Sequence, residues 1–119
     1  MAPLQFHPLA DGRSIAFRHT TGGGPTLVFL PGYMSDMAGS KATALFDWAA
    51  EQGRACLLLD YSGCGQSAGL FAEQTLSGWT RDVIDLVEGV VAGPVVLVGS
   101  SMGGWVMLLA ALAMPRRVH

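Results

Sequence analysis

Thr26 to Leu30, Arg54 to Leu59 and Val95 to Val98 are short runs dominated by apolar residues. Runs of this length without alternation predict strands buried on both faces. Ser14 to Thr20 instead alternates, with Ile15 and Phe17 against Arg18 and Thr20, and predicts an antiparallel strand with one wet face. Pro3 to Pro8 holds one short extended piece, and Asp11-Gly12 after it signals a turn. Elsewhere the spacing turns helical. Leu76 to Val91 is apolar at 76, 79, 83, 86, 87 and 90, with Arg81, Asp82, Asp85 and Glu88 on the polar face. Arg81 and Asp85 form an i,i+4 pair there. A further helix is predicted from about Lys41 to Gln52, with Leu45, Phe46, Trp48 and Ala49 on its apolar face and Gly53 closing it. A third runs from Met102 to Met114 and is ended by Pro115. Its apolar residues, Trp105 to Leu109 and Leu112, surround most of its circumference, so cover is expected on more than one side. Gly22 to Pro25 and Gly93-Pro94 are read as chain breaks.

The order is two early strands, then β–α–β–α–β–α. Buried strands alternating with helices define an α/β class, with a mostly parallel sheet, right-handed crossovers and helices on both faces. The whole of residues 1–119 is expected to be one domain. In such sheets ligands bind beyond the carboxyl ends of the strands. Three loops lie at those ends: Pro31 to Gly39, Asp60 to Gly69 and Gly99 to Gly104.

The third loop carries the candidate chemistry. Gly99-Ser100-Ser101-Met102-Gly103 fits G-x-S-x-G between a predicted strand and a predicted helix. In that context the serine sits on a strained turn and its hydroxyl projects above the sheet. The helix starts beside it, so free N–H groups and the positive dipole end face any developing anion. Ser101 is the candidate nucleophile and the backbone N–H of Met102 a candidate oxyanion donor. A capping serine after a glycine-rich turn is the plainer alternative. The glycines do not fit G-x-G-x-x-G and the loop has no P-loop lysine.

Composition narrows the classes. Half of the 119 residues are apolar and the net charge is only −2. Scattered basic residues argue against nucleic acid as a partner. No apolar run is long enough to span a bilayer. Cys56 and Cys64 make no disulfide framework, and Met1 onward shows no secretory pattern, so a cytoplasmic location is expected. Nothing calls for a metal or a cofactor.

Pro31-Gly32-Tyr33, Asp60-Tyr61-Ser62-Gly63-Cys64-Gly65-Gln66-Ser67 and Gly99 to Gly104, in that order after successive strands, resemble the α/β-hydrolase superfamily over the whole chain. The wording around Met34 to Ala42 and Asp60 to Ser67 is similar to a branch of bacterial hydrolases and mitochondrial acyl-protein thioesterases that also cleave acyl glucuronides. The resemblance implies an acyl-enzyme on Ser101, an oxyanion hole from the backbone N–H groups of Tyr33 and Met102, and an acyl ester or thioester as small-molecule substrate. The Tyr33 side chain is either a pocket wall or ordinary packing. Met34 and Met37 either line an acyl channel or belong to the core. Asp36 is expected to shape its loop or cap a helix, Asp60 to form a turn, and Cys64 not to act as nucleophile.

A serine nucleophile needs a base and an orienting acid, which in this superfamily follow it in the chain. After Ser101 there is no acid, and the one histidine is His119. His7 and His19 come earlier and are expected at the surface. These residues are therefore expected to be the N-terminal half of a hydrolase, an incomplete domain. The alternative is a module that keeps the fold, binds an acyl ligand or a partner, and catalyses nothing. Haloalkane dehalogenase chemistry would need an aspartate at position 101.

Overall fold

The computed structural model describes residues 2–119. Five strands form one sheet: β1 (Gln5–Pro8), β2 (Ser14–Thr20), β3 (Gly23–Leu30), β4 (Arg54–Leu59) and β5 (Val95–Gly99). Their order across the sheet is β1-β2-β4-β3-β5. β1, β2 and β4 pair antiparallel, and β3 pairs parallel with both β4 and β5. The helices are α1 (Ser40–Glu51), α2 (Leu76–Val90) and α3 (Met102–Ala113), with a 3-10 turn at Phe71–Glu73.

The continuous apolar runs are explained by two cores, one on each face. Val28, Leu30, Leu57 and Leu59 point to a core shared with α2 and α3, through Val83, Leu86, Val87, Val106 and Ala110. Their neighbours Leu27, Phe29, Cys56 and Leu58 point the other way, onto Ala42, Phe46 and Ala49 of α1. The two-residue period of a strand divides each run between the layers. Thr75 caps α2, its hydroxyl accepting from the Gly78 N–H at 3.0 Å. Gly53, at φ 68°, ends α1 in the left-handed conformation that glycine takes without strain.

Five expectations are corrected. Trp48 is not on the buried face of α1, which is formed by Ala42, Phe46 and Ala49; it is exposed. The face of β2 expected to be wet is covered at Ala16, which is fully buried in the α1-side core. β3 begins at Gly23, not at Thr26, because Gly23 pairs with Arg54 and the register then shifts before Leu27. Gly24, at φ 75°, takes up that shift. Asp82 is not on the wet face of α2; it is buried. β5 is not covered on both faces: Val96 and Val98 are half-buried, because β5 is the outermost strand. Its outer edge is paired at Val95, whose N–H donates to Arg117 O at 2.8 Å and whose carbonyl accepts from His119 N at 2.9 Å.

The expected all-round apolarity of α3 appears as a stripe. Trp105, Leu108 and Leu112 are 64%, 61% and 80% exposed, and their i, i+3, i+7 spacing sets them in one line. Among the described residues no helix is long and apolar enough to cross a membrane. An apolar stripe beside a sheet edge favours association. The 119-residue chain is expected to elute from size-exclusion columns as oligomers. Trp105→Lys with Leu112→Lys should raise the monomer fraction while changing stability by less than about 0.5 kcal/mol each, as for other surface changes. A monodisperse wild-type monomer would contradict this.

Candidate active site

β3 and β5 end side by side, with Leu30 opposite Gly99 and the Ser100 N–H donating to Leu30 O at 3.1 Å. The chain must then leave β5 and enter α3 within two residues. Ser101 makes the corner at φ 57° and ψ −121°, a conformation that costs an L-residue of order 1–3 kcal/mol. The corner closes because the flanking glycines have no side chain. A Cβ at Gly103 would run into the Leu30 carbonyl oxygen, and one at Gly99 into the Gly103 carbonyl. The Gly103 and Gly104 N–H groups each donate at 2.9 Å, to Ser100 O and Ser101 O.

The loop after β3 lies against this corner. A Cβ on Gly32 would come within 3.3 Å of Ser101 Cβ and of Ser100 O. Between loop and corner is a cavity of about 360 Å³ lined by Gly32, Tyr33, Asp36, Lys41, Ser100 and Ser101, among others. The structure thus brings Ser101 and Tyr33 to one cavity, and Met102 opens α3 next to Ser101 in the chain. Lys41 Nζ donates to Ser100 Oγ at 3.3 Å on the rim. Asp36 accepts from the Ala38 N–H at 2.9 Å and shapes its own loop, as expected.

Tyr33 is exposed on the loop after β3. It lines the cavity and also sets its ring edge-on to Phe71, centroids 5.4 Å apart. Met37 is buried with α1, whereas Met34 is exposed at φ 56°.

Residues 27–119 match the alpha/beta hydrolase family. The chain belongs to that family. It is 43% identical over 115 residues to the human mitochondrial palmitoyl-protein thioesterase ABHD10, covering 97% of this chain and 38% of that protein. The mouse alpha/beta hydrolase domain-containing protein 10 superposes with a TM-score of 0.95 at 42% identity, over 98% of this chain and 47% of the other. A hydrolase from Pseudomonas aeruginosa aligns at a TM-score of 0.82 and 26% identity, over 98% and 43% of the two chains. The chain therefore spans well under half the length of the curated relatives it matches. Those relatives are mitochondrial proteins, which overturns the expectation of a cytoplasmic location.

Among the described residues no histidine lies beside the Ser101 corner. His7 sits on β1, at the far edge of the sheet from β5, with its ring against Gly89 of α2. His19 lies on β2 opposite Leu57, partly buried, with its pKa lowered by desolvation. His119 pairs with Val95, at the opposite end of β5 from Ser101.

The β4 loop is organised by two buried carboxylates. Asp60 accepts from the Met37 and Gln66 N–H groups, both at 2.8 Å. Asp82 accepts from the Ser62 N–H at 2.8 Å. Desolvation raises the pKa of both, against the pull of those hydrogen bonds. Tyr61 donates from Oη to Pro31 O at 2.9 Å and stacks on Trp79, whose indole N–H donates to Ser62 O at 2.9 Å. The structural parts of Tyr61, Trp79 and Asp82 are additions to the sequence reading. A signal existed for Asp82, since positions 79, 82, 83 and 86 share one helical face.

Two outcomes test this packing. Gly103→Ala should destabilise the fold by about 1–3 kcal/mol in urea unfolding, as overpacking against backbone does. Gly104→Ala meets open space and should be neutral or stabilising by up to about 1 kcal/mol. Burial pushes the Cys56 thiol up to about 11 and also raises that of Cys64. The neutral thiol is thus favoured by folding, so this contribution is lost as pH rises from the unfolded value of about 8.5 toward the folded one. At pH 8 a chromogenic disulfide reagent should modify neither cysteine in the folded chain and both after denaturation. Rapid native labelling of Cys64 would revive it as a nucleophile.

Proposed function

We propose that Ser101 is the nucleophile of a hydrolase acting on acyl esters or thioesters, at a nucleophile elbow formed by the β5–α3 corner. The observation that carries this is the strained Ser101 backbone at a strand-to-helix corner facing a cavity. Ser101 Oγ attacks the acyl carbonyl carbon and its proton passes to a base. The negative charge gathers on the carbonyl oxygen, where the Tyr33 and Met102 N–H groups form the oxyanion hole. Collapse breaks the bond to the leaving oxygen or sulfur, the base returns the proton to it so that an alcohol or thiol departs, and an acyl-serine is left. Water then releases the acid and restores the hydroxyl. The thioesterase name of the relatives at about 43% identity supports a thioester as substrate.

These residues form, in this proposal, the first part of one hydrolase domain. The base and its orienting acid are not among the described residues around Ser101. The competing reading is a non-catalytic acyl-binding module, favoured by the placement of all three histidines away from the corner.

p-Nitrophenyl acetate and butyrate separate the two. The purified chain should release nitrophenol with a kcat far below the 1 s⁻¹ or so of complete enzymes. A serine protease without its base loses roughly six decades, while oxyanion hole and binding retain about three to four decades over water. Ser101→Ala should abolish labelling by a fluorophosphonate probe, while the residual hydrolysis, which the oxyanion hole and binding sustain, should fall little. Equal fluorophosphonate labelling in Ser101→Ala would remove Ser101 from the mechanism.

A further inference from the structure

We infer that Asp60 and Tyr61, consecutive residues at the end of β4, are positioning residues that clamp both ends of the β3–α1 loop and so hold the Tyr33 N–H in register with Ser101. This inference rests on the oxyanion assignment to Tyr33. Tyr61 Oη grips the start of the loop through Pro31 O at 2.9 Å. Asp60 Oδ1 grips its far end through the Met37 N–H at 2.8 Å. Among the described residues these are the side-chain hydrogen bonds that reach Pro31 to Met37 from another element.

Packing holds Met37 in the core and the Tyr33 ring against Phe71, but leaves the loop bordered by space on several sides. The loop has the 360 Å³ cavity on the Ser101 side. A second cavity of about 210 Å³ lies behind it, bordered by Arg18, Asp36, Met37, Asp60, Gly65 and Gln66. A third of about 260 Å³ borders Met34, Ser35 and Asp36. A segment with space on several sides takes its position from directional bonds. The clamp itself is rigid. Tyr61 is fully buried and stacked on Trp79. Asp60 is buried, its second oxygen accepts from the Gln66 N–H, and Gly65 lies so close that a Cβ would overlap the carboxylate. The charged groups facing Asp60 are Asp36 and Arg18, of opposite sign. An oxyanion donor acts over about 2.7–3.1 Å, and a misplacement of about 1 Å costs on the order of a hundredfold in rate. Loosening either end therefore reaches the chemistry without touching substrate.

Tyr61→Phe and Asp60→Asn, made in the 119-residue chain, test the clamp. The readouts are p-nitrophenyl acetate hydrolysis above the buffer rate, which the oxyanion hole sustains without a base, and hydrogen exchange in the peptide spanning 31–37. Each variant should lower kcat about tenfold or more, with KM changed less than about twofold, the pattern of a lost transition-state interaction. Exchange should rise in the 31–37 peptide and stay unchanged in α2. Tyr61→Phe keeps the ring on Trp79, so it decides the matter if Asp60→Asn fails to fold. Unchanged kcat and unchanged loop exchange in Tyr61→Phe would overturn the inference, as would exchange rising throughout the chain. If fluorophosphonate labelling of wild type persists in Ser101→Ala, the nucleophile assignment fails, and loop exchange alone then upholds or removes the clamp.

Discussion

Everything at the candidate site depends on how closely α3 approaches the end of β3. The approach is set at Gly103, which faces the Leu30 and Pro31 carbonyls with no room for a side chain. Because α3 begins there, Ser101 is forced into the corner and the Gly32 backbone is brought against it. The strain at Ser101 is not a local preference of the sequence Gly-Ser-Ser-Met-Gly. It is held by pairing between β3 and β5 on one side and by the burial of Val106 and Ala110 on the other.

The sheet provides the rigid platform for this corner. β3 and β4 are gripped on both faces, by α1 and by the α2–α3 pair, and their ends carry the two loops beside Ser101. Polar groups then fix what hydrophobic burial leaves free. Asp60, Tyr61, Trp79 and Asp82 form one connected set running from the β3–α1 loop to α2. Their removal from water is costly unless each is bonded, so the set defines the loop geometry narrowly. Desolvation raises the carboxylate pKa at both Asp60 and Asp82, so burial opposes ionisation there while their hydrogen bonds favour it.

Much of the fold was legible in the sequence. The bounds of β2 and β4 follow directly from alternation in Ser14 to Thr20 and from the unbroken run Arg54 to Leu59. The corner at Ser101 was legible because only a strand, a tight glycine turn and a helix explain that pattern. The start of β3 was not, since Gly23-Gly24-Pro25 has the composition of a break and pairs only because Arg54 lies beside it. Asp82 and Tyr61 were missed for a related reason. Hydropathy assigns a polar residue to the surface, whereas its burial is decided by a partner far along the chain. The location expected from the N-terminal pattern failed against relatives that are mitochondrial.

The pairing of Leu30 with Gly99 has a kinetic side. Between them lie α1, β4 and α2, so this contact closes one of the longest loops in the chain. Closing such a loop costs entropy before any reward arrives, and contacts of this kind form late. The β2–β4 antiparallel pair and the α1–β4 packing involve shorter separations and come earlier. The corner that presents Ser101 is then assembled near the end of folding, when β5 finally adds to β3. Until that moment nothing holds Ser101 in its strained conformation, and the chain passes through its early states with an ordinary, unstrained serine.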